Sequence, residues 1–173
     1  AAAQVLLPNV AASDELLGAQ QRTARAARLS LWLSLGLGLA LALTAERLLP
    51  LVYGEAFRAS LPALLWLIPG VTFFSVANVI GSFIAGIGKP HLNLWVALVG
   101  LAATIVLDVL LIPRYGIVGA AIASTVSYTA TTVAIIWMFV RETRLPALEV
   151  VLPRREDVDL VISLGRRVLW VRR

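Results

Sequence analysis

Two stripes of polar side chains interrupt otherwise apolar stretches of this sequence. Set 100° apart as on a helix, Ser75, Asn78, Ser82 and Gly86 fall within a sector of about 80°. Asn93, Ala97, Gly100, Thr104 and Asp108 share a second face of about the same width. Hydroxyls and amides in such a stripe face protein or water rather than lipid, so they either bond helix to helix or line a polar pathway. Asp108 is the only acid inside these stretches, and an Asp at the bilayer centre costs roughly 2.5 to 3.5 kcal/mol on insertion scales. It lies only about 8 Å from the boundary set by Pro113, at 1.5 Å per residue. Two readings stay open: a carboxylate that snorkels outward or pairs with Arg114, and one that couples ions or binds a cargo head group.

Other chemistry is excluded by what surrounds these stripes. One histidine, His91, cannot serve a Ser/His/Asp set, and with no cysteine there is neither a disulfide framework nor a thiolate metal site. Asp108 stands alone between Glu55 and Glu142, so no carboxylate cluster holds a metal, and no Gly-rich phosphate loop is present. The sequence therefore reads as neither an enzyme nor a cofactor binder, with no catalytic and no metal-ligating residues. The net charge of +5 does not point to nucleic acid, because the basic residues flank apolar runs and fill the tail.

The elements that must carry the stripes are four long uncharged runs: Leu29 to Ala45, Ala59 to Gly88, Leu92 to Leu107 and Tyr115 to Val140. A membrane-crossing helix needs about 20 apolar residues, and each run reaches that once its interfacial ends are counted. With 60% hydrophobic and 14% charged residues, the chain has too little polar surface for a soluble domain. The fold class is all-α, a polytopic bundle of four spans. Of the 15 Lys and Arg residues, only Arg47, Arg58 and Arg114 lie on one side of the implied membrane. The remaining 12, including Arg22, Arg25, Arg28, Lys89, Arg141 and Arg144, lie on the other, which marks that side and the C-terminus as cytoplasmic.

Residues 1–12, uncharged and without an initiator Met, read as the end of a preceding transmembrane helix in a longer protein. Residues 13–28 read as a cytoplasmic interfacial helix, with acids early and bases late to suit the helix dipole. Residues 29–144 form the four-helix part. Its first run carries Ser30, Ser34, Gly38 and Ala42, and its fourth Gly119, Ala123, Ser127 and Thr131, both small-residue ridges for close helix packing. The second run is expected to kink at Pro69. Residues 145–173 read as a basic tail, with an amphipathic helix from Glu156 to Arg173 lying against anionic lipid.

Three stretches carry a resemblance. Leu51-Val-Tyr-Gly-Glu-Ala-Phe57 resembles the Tyr-Gly-x-x-Phe outer loop of bacterial polysaccharide flippases. Phe83-Ile-Ala-Gly-Ile-Gly-Lys-Pro90 is similar to their inner turn. Leu107-Asp-Val-Leu-Leu-Ile-Pro-Arg-Tyr-Gly-Ile-Val-Gly-Ala-Ala-Ile-Ala123 resembles their helix junction, in which Pro113, Arg114, Gly116 and Gly119 would form the structural turn. The likeness, over residues 1 to 144, is to the C-terminal half of Wzx-like O-antigen flippases in the multidrug/oligosaccharidyl-lipid/polysaccharide exporter superfamily, with a MATE-like pseudo-symmetric architecture. Where that family commonly has Asn, this chain has Asp108. The resemblance implies a flippase of the bacterial inner membrane that moves an undecaprenyl-diphosphate-linked oligosaccharide by alternating access, for lipopolysaccharide or other surface polysaccharide biosynthesis. Asn78, Ser75, Ser82, Asn93, Thr104 and Asp108 are its cavity candidates, joined by Gln4 and by Arg58 or Arg114. The main diphosphate contacts would lie in a missing N-terminal half. The runner-up is a multidrug or lipid II exporter of the same superfamily. From other classes, a membrane part of a glycosyltransferase or polymerase and a structural scaffold remain open.

Overall fold

The computed structural model describes residues 2–153 and Asp157, with side chains from Glu15 onward. Helix α1 (Ala2–Tyr53) is followed by a short 3-10 helix (Glu55–Ser60), α2 (Leu61–Gly86), α3 (Pro90–Thr143) and the single turn α4 (Leu148–Val151). No strand occurs among the described residues. Three helices are long and apolar enough to cross a membrane. At 1.5 Å per residue the third would be about 80 Å long if straight, more than twice a hydrocarbon core.

It is not straight. Gly116 leaves helical geometry at φ 56°, ψ −132°, a conformation in which a Cβ would clash with the backbone. The chain reverses there, as the pairs across α3 show. Lys89 is bonded to Glu142, a Cβ on Gly100 would lie 2.5 Å from Thr131 Oγ1, and one on Gly119 would overlap the Leu111 carbonyl. Each pair is centred within a residue of Gly116. The arms 90–115 and 117–143 are thus an antiparallel hairpin, and the three long helices make four long helical segments.

The other turns are equally local in origin. Gly54, at φ 92°, ends α1 and lets the Tyr53 and Phe57 rings meet at 5.5 Å. At the inner turn, Lys89 N–H donates to the Ile84 carbonyl and Gly88 N–H to that of Ala85. That is the Schellman pattern, with Gly88 in the left-handed position and Pro90 starting the next helix.

Packing follows the small residues. A Cβ on Gly38 would sit 2.9 Å from Ile68 Cγ2, fixing α1 against α2. One on Gly70 would sit 2.6 Å from the Thr125 Cα, so α2 and the second arm of α3 nearly touch backbones. Beside that contact the Thr125 hydroxyl donates to the Trp66 carbonyl. Pro69 inside α2 cannot bond the carbonyl four residues back, and a hydroxyl from a neighbouring helix is how such a disturbed stretch is satisfied in lipid. Below it Val76, Ile80 and Ile84 pack with Ile135 and Phe139, and with Ala24, Ala27 and Leu31 of α1.

No break in the helix marks the expected limits at residues 12 and 28, which concern where the membrane surface lies. A single helix runs through both from Ala2. The Ala, Leu, Gln and Arg residues from Leu16 to Arg28 are strong helix formers, and no Gly or Pro pair interrupts them. Charge marks where a membrane surface lies and does not end a helix. The amphipathic tail helix expected from Glu156 lies outside the described residues apart from Asp157, which is 6% exposed at its side chain. Arg28 donates to both Asp157 carboxylate oxygens and to the Glu149 carbonyl, and Trp32 Nε1 donates to Val151 O. The segment after α3 is thereby held against α1.

Candidate functional site

Between α2 and the two arms of α3 the bundle leaves a groove of about 600 Å³. α2 and the second arm run parallel and in direct contact, the first arm runs antiparallel to both, and the three contribute a face each. From α2 come Asn78 and Ser82, from the first arm Asn93 and Thr104, and from the second Ser127, Tyr128 and Thr131. The groove runs from Asn93, one turn above the basic end of the bundle, to Thr104 near mid-helix. Gly81, Ala97 and Gly100 keep it open where larger side chains would close it.

Its polar atoms divide into two kinds. The hydroxyls of Ser82, Thr104 and Thr131 each donate to the carbonyl four residues back on their own helix, and the Asn78 amide donates to that of Phe74. Such back-bonding is the usual fate of a polar side chain in an apolar helix. Asn93 and Ser127 differ. Asn93 Nδ2 donates to Gly81 O at 2.8 Å, which leaves its Oδ1 buried without a partner. Ser127 is 1% exposed, and its hydroxyl has no hydrogen-bond partner among the described residues. One wall is aromatic, Phe74 stacked on Tyr128 with ring centroids 4.7 Å apart. No charged residue lines the groove.

Of the six cavity candidates from sequence, the structure brings Asn78, Ser82, Asn93 and Thr104 together and leaves two outside. Ser75 donates its hydroxyl to the Thr72 carbonyl and is not in the lining. Asp108 lies one turn beyond Thr104 towards the Gly116 reversal, with Oδ1 buried and unbonded. The Arg114 pairing weighed for it is not formed: Arg114 is exposed, and no ion pair joins the two among the described residues. Pro113, Arg114 and Gly116 sit at the reversal, and Gly119 packs on the preceding arm. Arg58 is at the same end, in an exposed pair with Glu55. The side chain of Gln4 lies outside those described. Sequence reasoning missed Phe74 and Tyr128 and took Ser127 and Thr131 for a packing ridge. A four-residue step of small polar residues is the same signal for a tight contact and for a polar wall.

The bundle has four long helical segments, turns at Gly54, Gly88 and Gly116 and, among the described residues, no charged side chain lining its groove. The model of the lipid II flippase MurJ family matches residues 1–172. The chain belongs to that family. That family is one of flippases, in the superfamily the sequence resemblance named. The branch differs from the one the resemblance favoured, since the match is to lipid II flippases and not to O-antigen flippases. An uncharacterized membrane protein of Methanocaldococcus jannaschii, MJ1068, is 26% identical over 87 residues, covering 50% of this chain and 17% of that protein. The MurJ-family chain thus spans only a small part of the length of the curated relative it matches. No solved structure matches it.

Proposed function

We propose that the chain supplies four spans of a flippase carrying lipid II, the undecaprenyl-diphosphate-linked precursor of the cell wall, across the cytoplasmic membrane. The family match over nearly the whole chain carries this reading, and it favours the lipid II alternative over O-antigen oligosaccharide. The groove supports it, because a polar cavity walled by helix faces is what a hydrophilic head group needs inside hydrocarbon. Asn93 and Ser82 lie in the half of the bundle nearer Arg28, Lys89 and Arg141. By the distribution of basic residues that half faces the cytoplasm, where a lipid-linked precursor would enter. Alternating access then requires a second bundle to rock against this one around the cargo.

The test uses the full-length protein reconstituted in vesicles with fluorescent lipid II in one leaflet. Lipid II should cross faster than in protein-free vesicles, while a lipid-linked O-antigen repeat of similar size should not compete. Equal movement of both lipids would return the assignment to a general polysaccharide flippase, and movement of neither would remove the transport reading.

A further inference from the structure

We infer that the groove between α2 and the α3 hairpin binds the neutral, hydroxyl- and amide-bearing part of the cargo head group and leaves the diphosphate to be held elsewhere. The inference rests on the lipid II reading and narrows it. No Arg, Lys or His lines the groove, and an anion taken from water into such a site without a cation partner meets a large desolvation cost. The groove can satisfy uncharged donors and acceptors instead.

Two orphaned groups define what enters. Asn93 Oδ1 is fixed as the free end of its amide, because the Gly81 carbonyl requires a donor opposite it and therefore takes Nδ2. A ligand must bring an O–H or N–H to that oxygen. The Ser127 hydroxyl differs from those of Thr131, Thr104 and Ser82, which bond their own helices. It is buried at 1% exposure with donor and lone pairs unused, and a ligand able both to give and to accept a hydrogen bond would satisfy it. Sugar hydroxyls and acetamido or peptide amides have that dual capacity, and acyl chains have neither. The stacked Phe74 and Tyr128 rings supply an apolar wall for the C–H face of a pyranose. The volume, about 600 Å³, lies within the range of about 300 to 1,000 Å³ of small-molecule sites.

Binding of two fluorescent lipids to the full-length protein in detergent tests this: lipid II, and undecaprenyl diphosphate without sugar or peptide. Ser127→Ala removes a hydroxyl that bonds nothing among the described residues, so the variant's melting temperature should be unchanged or raised. Its affinity for lipid II should fall about five- to tenfold, one buried hydrogen bond, and its affinity for the sugar-free lipid should stay the same. Asn93→Gln, which keeps the amide but moves its oxygen, should show the same selectivity. Equal weakening for both lipids, or no weakening for either, overturns the inference. A lower melting temperature with loss of both lipids also overturns it, by showing that the groove is covered by another helix of the protein. A wild type that binds neither lipid overturns the flippase reading, and the inference with it.

Discussion

Asp108 carries a carboxylate oxygen removed from solvent with no hydrogen-bond partner, at a depth where charge is expensive. Pairing with Arg114 would relieve that cost, and no such pair forms among the described residues. A proton or a cation bound at this carboxylate is one way to relieve it. If either comes and goes during transport, flux depends on its gradient. Replacing Asp108 with Asn keeps the shape and removes the charge. In the full-length protein it should leave lipid II binding intact and abolish the stimulation of vesicle flux by a pH or Na⁺ gradient. Gradient stimulation equal to wild type would assign Asp108 a purely structural part. The sequence showed this residue's position and its lack of acidic neighbours, because both are local facts. It could not show whether Arg114 reaches back six residues, because that depends on how the reversal at Gly116 aims the arginine.

At the level of elements, the four long helical segments were legible because hydropathy is additive along a helix. The hairpin turns were legible because Gly and Pro mark them: Gly54, Gly88 with Pro90, and Pro113 with Gly116. The fusion of residues 13–28 to the first span was not, since acids before bases describe a helix dipole equally well in a separate helix and in the start of a longer one. Nor was the Arg28 to Asp157 contact, which joins residues 129 apart, while hydropathy and spacing speak only of near neighbours. Half of the groove was legible, as the stripes on α2 and the first arm, because a 100° period needs no knowledge of the partner. The Ser127 wall needed the register of the hairpin. That register hangs on Gly116, whose φ 56°, ψ −132° is open to glycine and costs other residues about 1 to 3 kcal/mol. Gly116→Ala should therefore lower stability by an amount in that range, read as a lower melting temperature of the full-length protein. Gly36→Ala, at a helical α1 position with nothing within 4 Å of an added Cβ, should leave it unchanged or raise it, since Ala favours a helix over Gly. Equal effects of the two would mean that the reversal does not depend on glycine.

The whole molecule sorts its charges by end. Arg25 and Arg28 reach Asp157, Lys89 reaches Glu142, and Arg141 lies 5.2 Å over the Trp137 ring, all at the end where α2 turns into α3. The opposite end, at Gly54 and Gly116, holds Arg58 and Arg114. These contacts follow from the asymmetry, the Arg28–Asp157 pair buried and the Lys89–Glu142 pair partly exposed. What the asymmetry fixes is orientation, because basic residues close to membrane segments are retained on the cytoplasmic side during insertion. Reporter fusions to the full-length protein should consequently be active as periplasmic enzymes after Phe57 and Tyr115, and as cytoplasmic ones after Lys89 and Arg144. The loading proposed above requires that orientation, with the mouth of the groove near Asn93 towards the compartment in which lipid-linked precursors are made. Adding three Lys residues to the Glu55–Ser60 turn would bring the basic counts of the two sides closer and should increase the inverted fraction. A fusion pattern inverted in the unaltered protein would move the groove mouth to the far side, and the cytoplasmic loading proposed for it would fall.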